Sequence, residues 1–213
     1  MTDEQIPPDD KPIPRPRLGW LWIGLLALLA IDLAVRWLPA LPDLIGLQIA
    51  GQRSIGGPFT LTDGHGQRVT QAVLAGKPYA IFFGYTHCPD VCPTTLQDMT
   101  GWLAALGPEA DKLRMVFVTV DPARDTPVAL GEYLKAFDPR ILGLTGSEAE
   151  ITNMLRAYRV YAHKGEVKGS DYDMDHTAAI YLMDRAGDLK TVIGYGEKTA
   201  PSLAKLKDLI DGG

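Results

Sequence analysis

The sequence predicts an α/β domain, a mixed sheet covered by helices, carried behind one apolar helix. Three observations predict it. Two continuous apolar runs, KPYAIFFGYT and LRMVFVTVD, are short enough for fully buried strands and enclose a segment of helical period. Strand and helix signals then alternate along the chain, which favours parallel central strands. Alternating segments with Gly-rich turns stand at both ends of this pattern and add an N-terminal hairpin and an antiparallel C-terminal edge.

The chain has 213 residues, 46% hydrophobic and 22% charged, enough for one sizeable core plus appendages. Residues 1–17, MTDEQIPPDDKPIPRPR, are rich in proline and charge without apolar period, which predicts a disordered tail. Residues 18–38, LGWLWIGLLALLAIDLAVRWL, would span about 31 Å as a helix, close to the hydrocarbon thickness of a bilayer. Trp20, Trp22 and Trp37 lie near the ends of the run, where amphipathic rings suit the interface, and Pro39 and Pro42 stop it. Asp32 and Arg36 oppose insertion by about 2.5–3.5 kcal/mol each, but at a spacing of i, i+4 they can pair and Arg36 can reach the headgroups. No clear small-residue cleavage site follows, so a transmembrane anchor is expected and not a cleaved secretory signal.

Lys11, Arg15 and Arg17 before the helix, against Arg36 and Arg53 after it, orient the N-terminus toward the cytoplasm. The acidic tail does not resemble an organelle transit peptide, so the expected location is a bacterial inner membrane with the soluble domain in the periplasm. Residues 39–56 read as a linker and 57–213 as the folded domain.

Within that domain, GGPFTLTDGHGQRVT alternates and turns as a hairpin. Residues 94–106 place Leu96, Met99, Leu103 and Leu106 at helical spacing between the two buried strands, and Gly107-Pro108 ends the helix. Residues 126–137 repeat the helical spacing, and ILGLTG follows as a short strand. Ser147, with Glu150 three residues on, forms a capping box for the next helix. Residues 162–175, AHKGEVKGSDYDMD, read as a charged loop leading to His176. Two strands turning at 185–188 and a helix opened by Pro201 complete the order.

The net charge of −5, with no long run of Lys or Arg, leaves no electrostatic footprint for nucleic acid. Chemistry concentrates instead on YTHCPDVCPTT, which holds the only two cysteines, Cys88 and Cys92. A strand ending just before them and a helix starting near Pro93 put both sulfurs at a helix N-terminus, where unpaired N–H groups favour thiolate. Outside the cytoplasm such a pair oxidises unless a partner reduces it or a metal holds it. The C-x-x-x-C spacing is wider than the C-x-x-C of thioredoxin-type redox sites, which shifts weight toward metal. Two thiolates and one imidazole make a trigonal set suited to Cu(I) and tolerable to Cu(II), whereas zinc normally takes four protein ligands.

The chain has four histidines. His65 lies in a polar turn and His163 in the charged loop, and both read as solvated. His87 adjoins Cys88 and would point away from a site that Cys88 faces. His176, at the entrance of a buried strand, is the best candidate for the third ligand, although a lone histidine is also a common structural residue. In VTVDPARDTP, Asp125 or Thr126 can cap the following helix, and Asp121 or Arg124 can face the cysteine loop. Asp90 and Asp175 add negative charge that favours a bound cation without having to ligate it.

FFGYTHCPDVCPTTL, VTVDPARDTP and YDMDHTAAIYLMD, in this order, resemble the Sco/SenC family of membrane-anchored copper proteins that assist assembly of cytochrome c oxidase. The resemblance runs from about residue 57 to 210. It implies a thioredoxin-like fold, with Cys88 and Cys92 as copper-binding thiols and His176 as third ligand, and it agrees with an anchor at 18–38. The implied partner is the copper-site subunit of the oxidase, with another periplasmic copper carrier or a thiol reductant as further possibilities.

Two functions are therefore expected to compete. One is a metallochaperone that binds one copper through Cys88, Cys92 and His176 and hands it to the dinuclear oxidase site by ligand exchange. The other is a thiol-disulfide oxidoreductase, in which Cys88 and Cys92 are the redox-active groups and reduce the cysteines of that same site. A peroxidase is the weaker third reading, since it would use a single peroxidatic cysteine.

Overall fold

The computed structural model describes residues 19–37, 55–168 and 171–212. The expected tail at 1–17 and nearly all of the linker at 39–56 lie outside the described residues. Two compact units emerge, divided between Arg53 and Ser54. The first contains α1, Gly19–Trp37, a 19-residue helix. Its side chains are described at positions 22, 23 and 25–32, and all of these are exposed. Among the described residues no helix is long and apolar enough to cross a membrane.

The second unit is α/β. Its elements are β1 (Thr60–Asp63), β2 (Arg68–Thr70), β3 (Tyr79–Gly84), α2 (Val91–Leu106), β4 (Arg114–Thr119), α3 (Pro127–Leu134), β5 (Ile141–Thr145) and α4 (Glu148–Tyr158). There follow β6 (Ala162–Lys168), β7 (Asp171–His176), β8 (Ala179–Met183), β9 (Leu189–Gly194) and α5 (Thr199–Gly212). Seven strands form one sheet in the order β2-β1-β5-β4-β3-β8-β9. The pairs β3–β4 and β4–β5 are parallel and the other pairings antiparallel, so the parallel part is the central three strands only.

Every residue of β3 is buried, as are the last five of β4, which requires both faces of the sheet to be covered. The apolar runs explain this: Ile81, Phe82, Phe83, Val116, Phe117 and Val118 have no exposed surface. Helix α2 contributes Leu96, Met99 and Leu103 to the same core, at the spacing the sequence predicts. The capping box at Ser147 and Glu150 is present in full, and Glu150 is also bound by Arg68 from β2. Arg68 thereby holds the carboxyl of Glu150 down at about 2.

One expected loop is not a loop. Residues 162–168 and 171–175 lie in two antiparallel strands, β6 paired with β7, in a separate two-stranded sheet. Along β7 the side chains alternate, with Asp171, Asp173 and Asp175 exposed and Tyr172, Met174 and His176 half-buried. The charge that suggests a loop is one face of a strand.

Candidate metal centre

Strand β3 ends at Gly84, and the chain turns through Tyr85, Thr86 and His87 to reach Cys88. A Cβ at Gly84 would stand 2.7 Å from the Cys92 sulfur and 2.8 Å from Phe117 Cε2, so only glycine lets the strand pass this close to the sulfur. Helix α2 begins at Val91, earlier than expected, and its N-cap residue Asp90 makes no capping bond through its side chain. The sulfur of Cys88 takes that role: the backbone N–H of Cys92 donates to Cys88 Sγ at 3.3 Å. An orphan donor of the first helical turn is thus satisfied by sulfur.

Both cysteines are free, Cys88 half-buried and Cys92 fully buried. Their proton affinities diverge. The Cys92 thiol, hydrogen-bonding to Cys88, together with His176 and the backbone N–H groups of Cys92 and Asp90, brings Cys88 down to about 3 against the cost of burial. The bond to Cys88 and burial push Cys92 far up. The pair holds one proton, on the inner sulfur, and presents a thiolate outward.

His176 closes the third side. Its Nε2 lies 3.7 Å from Cys92 Sγ. Its Nδ1 lies 3.2 Å from the Thr177 carbonyl, an acceptor that takes a hydrogen from Nδ1 and turns Nε2 toward the sulfurs. The ring stands edge-on to Tyr85 at 5.8 Å and to Phe82 at 6.3 Å between centroids. His65, His87 and His163 are exposed, and Nδ1 of His87 faces Thr86 Oγ1 at 3.0 Å.

Sequence reasoning points to Cys88, Cys92 and His176, and the structure sets Cys92 Sγ 3.7 Å from His176 Nε2 and the Cys92 N–H on Cys88 Sγ. No group of three or more His, Cys, Asp or Glu side chains among the described residues is drawn together closely enough to hold a metal ion as it stands. The donor set nevertheless fits a thiophilic one. Bonds of about 2.3 Å to sulfur and about 2.0 Å to nitrogen, opened to about 120°, place the two donors about 3.7 Å apart. That is the Cys92–His176 separation. Asp90 and Asp175 are exposed beside the site.

The residues that support the site were harder to foresee. Asp125, with no exposed surface, accepts from the Thr86 N–H at 3.0 Å, from Thr86 Oγ1 at 2.6 Å and from Thr119 Oγ1. It therefore ties the cysteine loop to the end of β4, while Thr126 alone caps α3. Asp121 and Arg124 reach the β6–β7 hairpin: Asp121 accepts from the Tyr172 hydroxyl at 2.8 Å, and Arg124 donates to Asp171 at 2.7 Å. Tyr85 accepts from the Met174 N–H at 3.3 Å. The only sequence signal for these roles is the crowding of Asp and Arg directly after a buried strand.

Comparison with known proteins places this geometry. The model of a family described as SCO1/SenC matches residues 48–211. The mitochondrial protein SCO1 of Saccharomyces cerevisiae is 45% identical over 154 residues, 70% of this chain and 52% of that protein. The structure of Bradyrhizobium japonicum ScoI with copper bound is 51% identical, covering 73% of this chain and 99% of that one with a TM-score of 0.69. Yeast Sco1 with copper bound is 40% identical, covering 75% of this chain and 90% of that one, also with a TM-score of 0.69. The chain spans about half the length of the first curated relatives it matches, between 44% and 62%. The mixed sheet and its helices are those of the thioredoxin-like Sco structures.

Proposed function

The chain belongs to the SCO1/SenC family, and on that premise we propose that it is a membrane-anchored copper metallochaperone. It binds one copper through Cys88, Cys92 and His176 and assists assembly of the dinuclear copper site of cytochrome c oxidase. The observation that carries this reading is the convergence of a low-pKa thiolate, a second sulfur and an imidazole nitrogen 3.7 Å from that sulfur. Copper bound in the ScoI and yeast Sco1 structures supports the choice of metal. Copper is cargo here, and two soft sulfurs with one imidazole hold Cu(I) while tolerating Cu(II). Entry of the metal draws Cys88, Cys92 and His176 together and displaces the proton on Cys92. Transfer to the oxidase subunit proceeds by ligand exchange.

The domain is tethered by residues 18–38 at a bacterial inner membrane and works in the periplasm. Support comes from the apolar length of that run and from the described large apolar side chains of α1, from Trp22 to Ile31, each at least 51% exposed.

Titrating the full chain with Cu(I) under anaerobic reducing conditions tests the reading. One copper per chain is expected, with affinity at least about tenfold weaker in His176→Ala and tight binding lost in Cys88→Ser. Tight 1:1 binding by Cys88→Ser would overturn it.

The free dithiol supports a second reading, in which Cys88 attacks a disulfide of the oxidase subunit and Cys92 resolves the mixed disulfide. That activity needs no imidazole, so full oxidase assembly in cells carrying His176→Ala would favour it.

A further inference from the structure

His176 depends for its place on a hairpin that stands outside the main sheet. Strand β7 presents Tyr172, Met174 and His176 on its half-buried face, and its partner β6 pairs with no strand of the main sheet. Met174 packs against the core from this face, and among the polar contacts that hold the rest two meet at one guanidinium. Arg124 donates from Nε to Asp121 and from Nη1 to Asp171 Oδ1 at 2.7 Å. Its Cζ lies 3.6 Å from the centroid of the Tyr172 ring, and Lys164 Nζ lies 3.7 Å from the same centroid. The Tyr172 hydroxyl donates to the other oxygen of Asp121 at 2.8 Å, so one buried carboxylate receives both the arginine and the tyrosine.

The arrangement is asymmetric in a useful way. Asp121 and Arg124 belong to the turn after β4, fixed to the cysteine loop through the network on Asp125. Tyr172 and Asp171 belong to the hairpin. The bonds between the two groups are polar, exposed at Asp171 and part-buried at Tyr172, and breaking them loosens a hairpin whose apolar hold on the core includes Met174 and Ala162. Tyr172 and His176 lie on one face of one strand, so the clamp and the imidazole are borne by the same element.

We propose that Arg124 and Tyr172 are positioning residues that clamp the β6–β7 hairpin and thereby set how long the His176 imidazole stays at the dithiol. The clamp acts on copper only through that imidazole, and the proposal rests on the copper reading above. Opening it removes one of three donors and leaves a two-sulfur site from which an acceptor can take the metal.

The test uses the full chain in detergent, loaded with one equivalent of Cu(I) and challenged with excess chromogenic Cu(I) chelator. Tyr172→Phe keeps the ring and drops the hydroxyl; Arg124→Lys keeps the charge and loses the fork that reaches Asp121 and Asp171 together. Each is expected to release copper about tenfold faster than wild type. Neither should accelerate release further when combined with His176→Ala. Unchanged release in both single variants would overturn the proposal, and so would equal acceleration in the His176→Ala background, since the contacts would then only support the fold. Failure of the copper reading itself shows separately, as a His176→Ala single variant that holds copper as well as wild type.

Discussion

Cys92 has no exposed surface and rides on a helix whose first turn lies against the central strands, whereas His176 ends a half-exposed hairpin docked by an arginine, a tyrosine and two aspartates. The cysteine side is defined by burial: Gly84 admits the sulfur, Phe117 packs beside it and Asp125 pins the loop from beneath. The histidine side adds charge and hydrogen bonds at the surface to the ring contacts of His176 with Tyr85 and Phe82. Buried apolar contacts resist local opening, and surface polar contacts exchange readily with water. One half of the site is therefore part of the core and the other is attached to it.

Chemical modification sharpens the contrast most. With Cys88 at about 3, its alkylation by iodoacetamide should run at nearly the same rate at about pH 5.5 as at about pH 8. An ordinary thiol would slow about two-hundredfold over that range. Cys92, protonated and buried, should stay unlabelled in the folded protein, as mass spectrometry of digests can show. A rate at Cys88 that climbs with pH like that of a free thiol would break the contrast.

Asp125→Ala should remove about 3 kcal/mol of stability by leaving Thr86 and Thr119 donors unpaired in the core, measured by denaturant unfolding. A loss below about 1 kcal/mol would mean the cysteine loop is held by other contacts. Gly84→Ala should cost about 2 kcal/mol by overpacking, with Cys92 displaced and the low alkylation pKa of Cys88 raised. The smallest effect belongs to the attached half. Tyr85→Phe removes the acceptor of the Met174 N–H and should raise hydrogen exchange there about fivefold, with global stability within about 0.5 kcal/mol of wild type. Exchange rising equally across the sheet would show that the hairpin and the core open as one.

The same division explains what could be read in the sequence. Continuous apolar runs announce buried strands whatever surrounds them, so β3, β4, α2 and the two cysteines at the helix start were legible. Ser147 and Glu150 declared their helix by local chemistry alone. Tyr172, Met174 and His176 also alternate with aspartates in strand period, yet DYDMDH reads as a loop because three aspartates dominate it and only Met174 of the inward set is aliphatic. The partners of Asp121, Arg124 and Asp125 lie far along the chain, on Asp171, Tyr172 and Thr86, and no local spacing signals such contacts. The parallel centre extended less far than alternation suggested, because β1 and β8 both run against their neighbours in the central three.

The unequal depth of the two sulfurs imposes an order on any exchange. An incoming nucleophile or acceptor ligand can touch Cys88 from solvent, while Cys92 lies behind it with no surface of its own. Under either proposed function, a metal or two electrons would be met first at the outer atom and surrendered last by the inner one. The site thus has a front and a back, set by which sulfur solvent can reach.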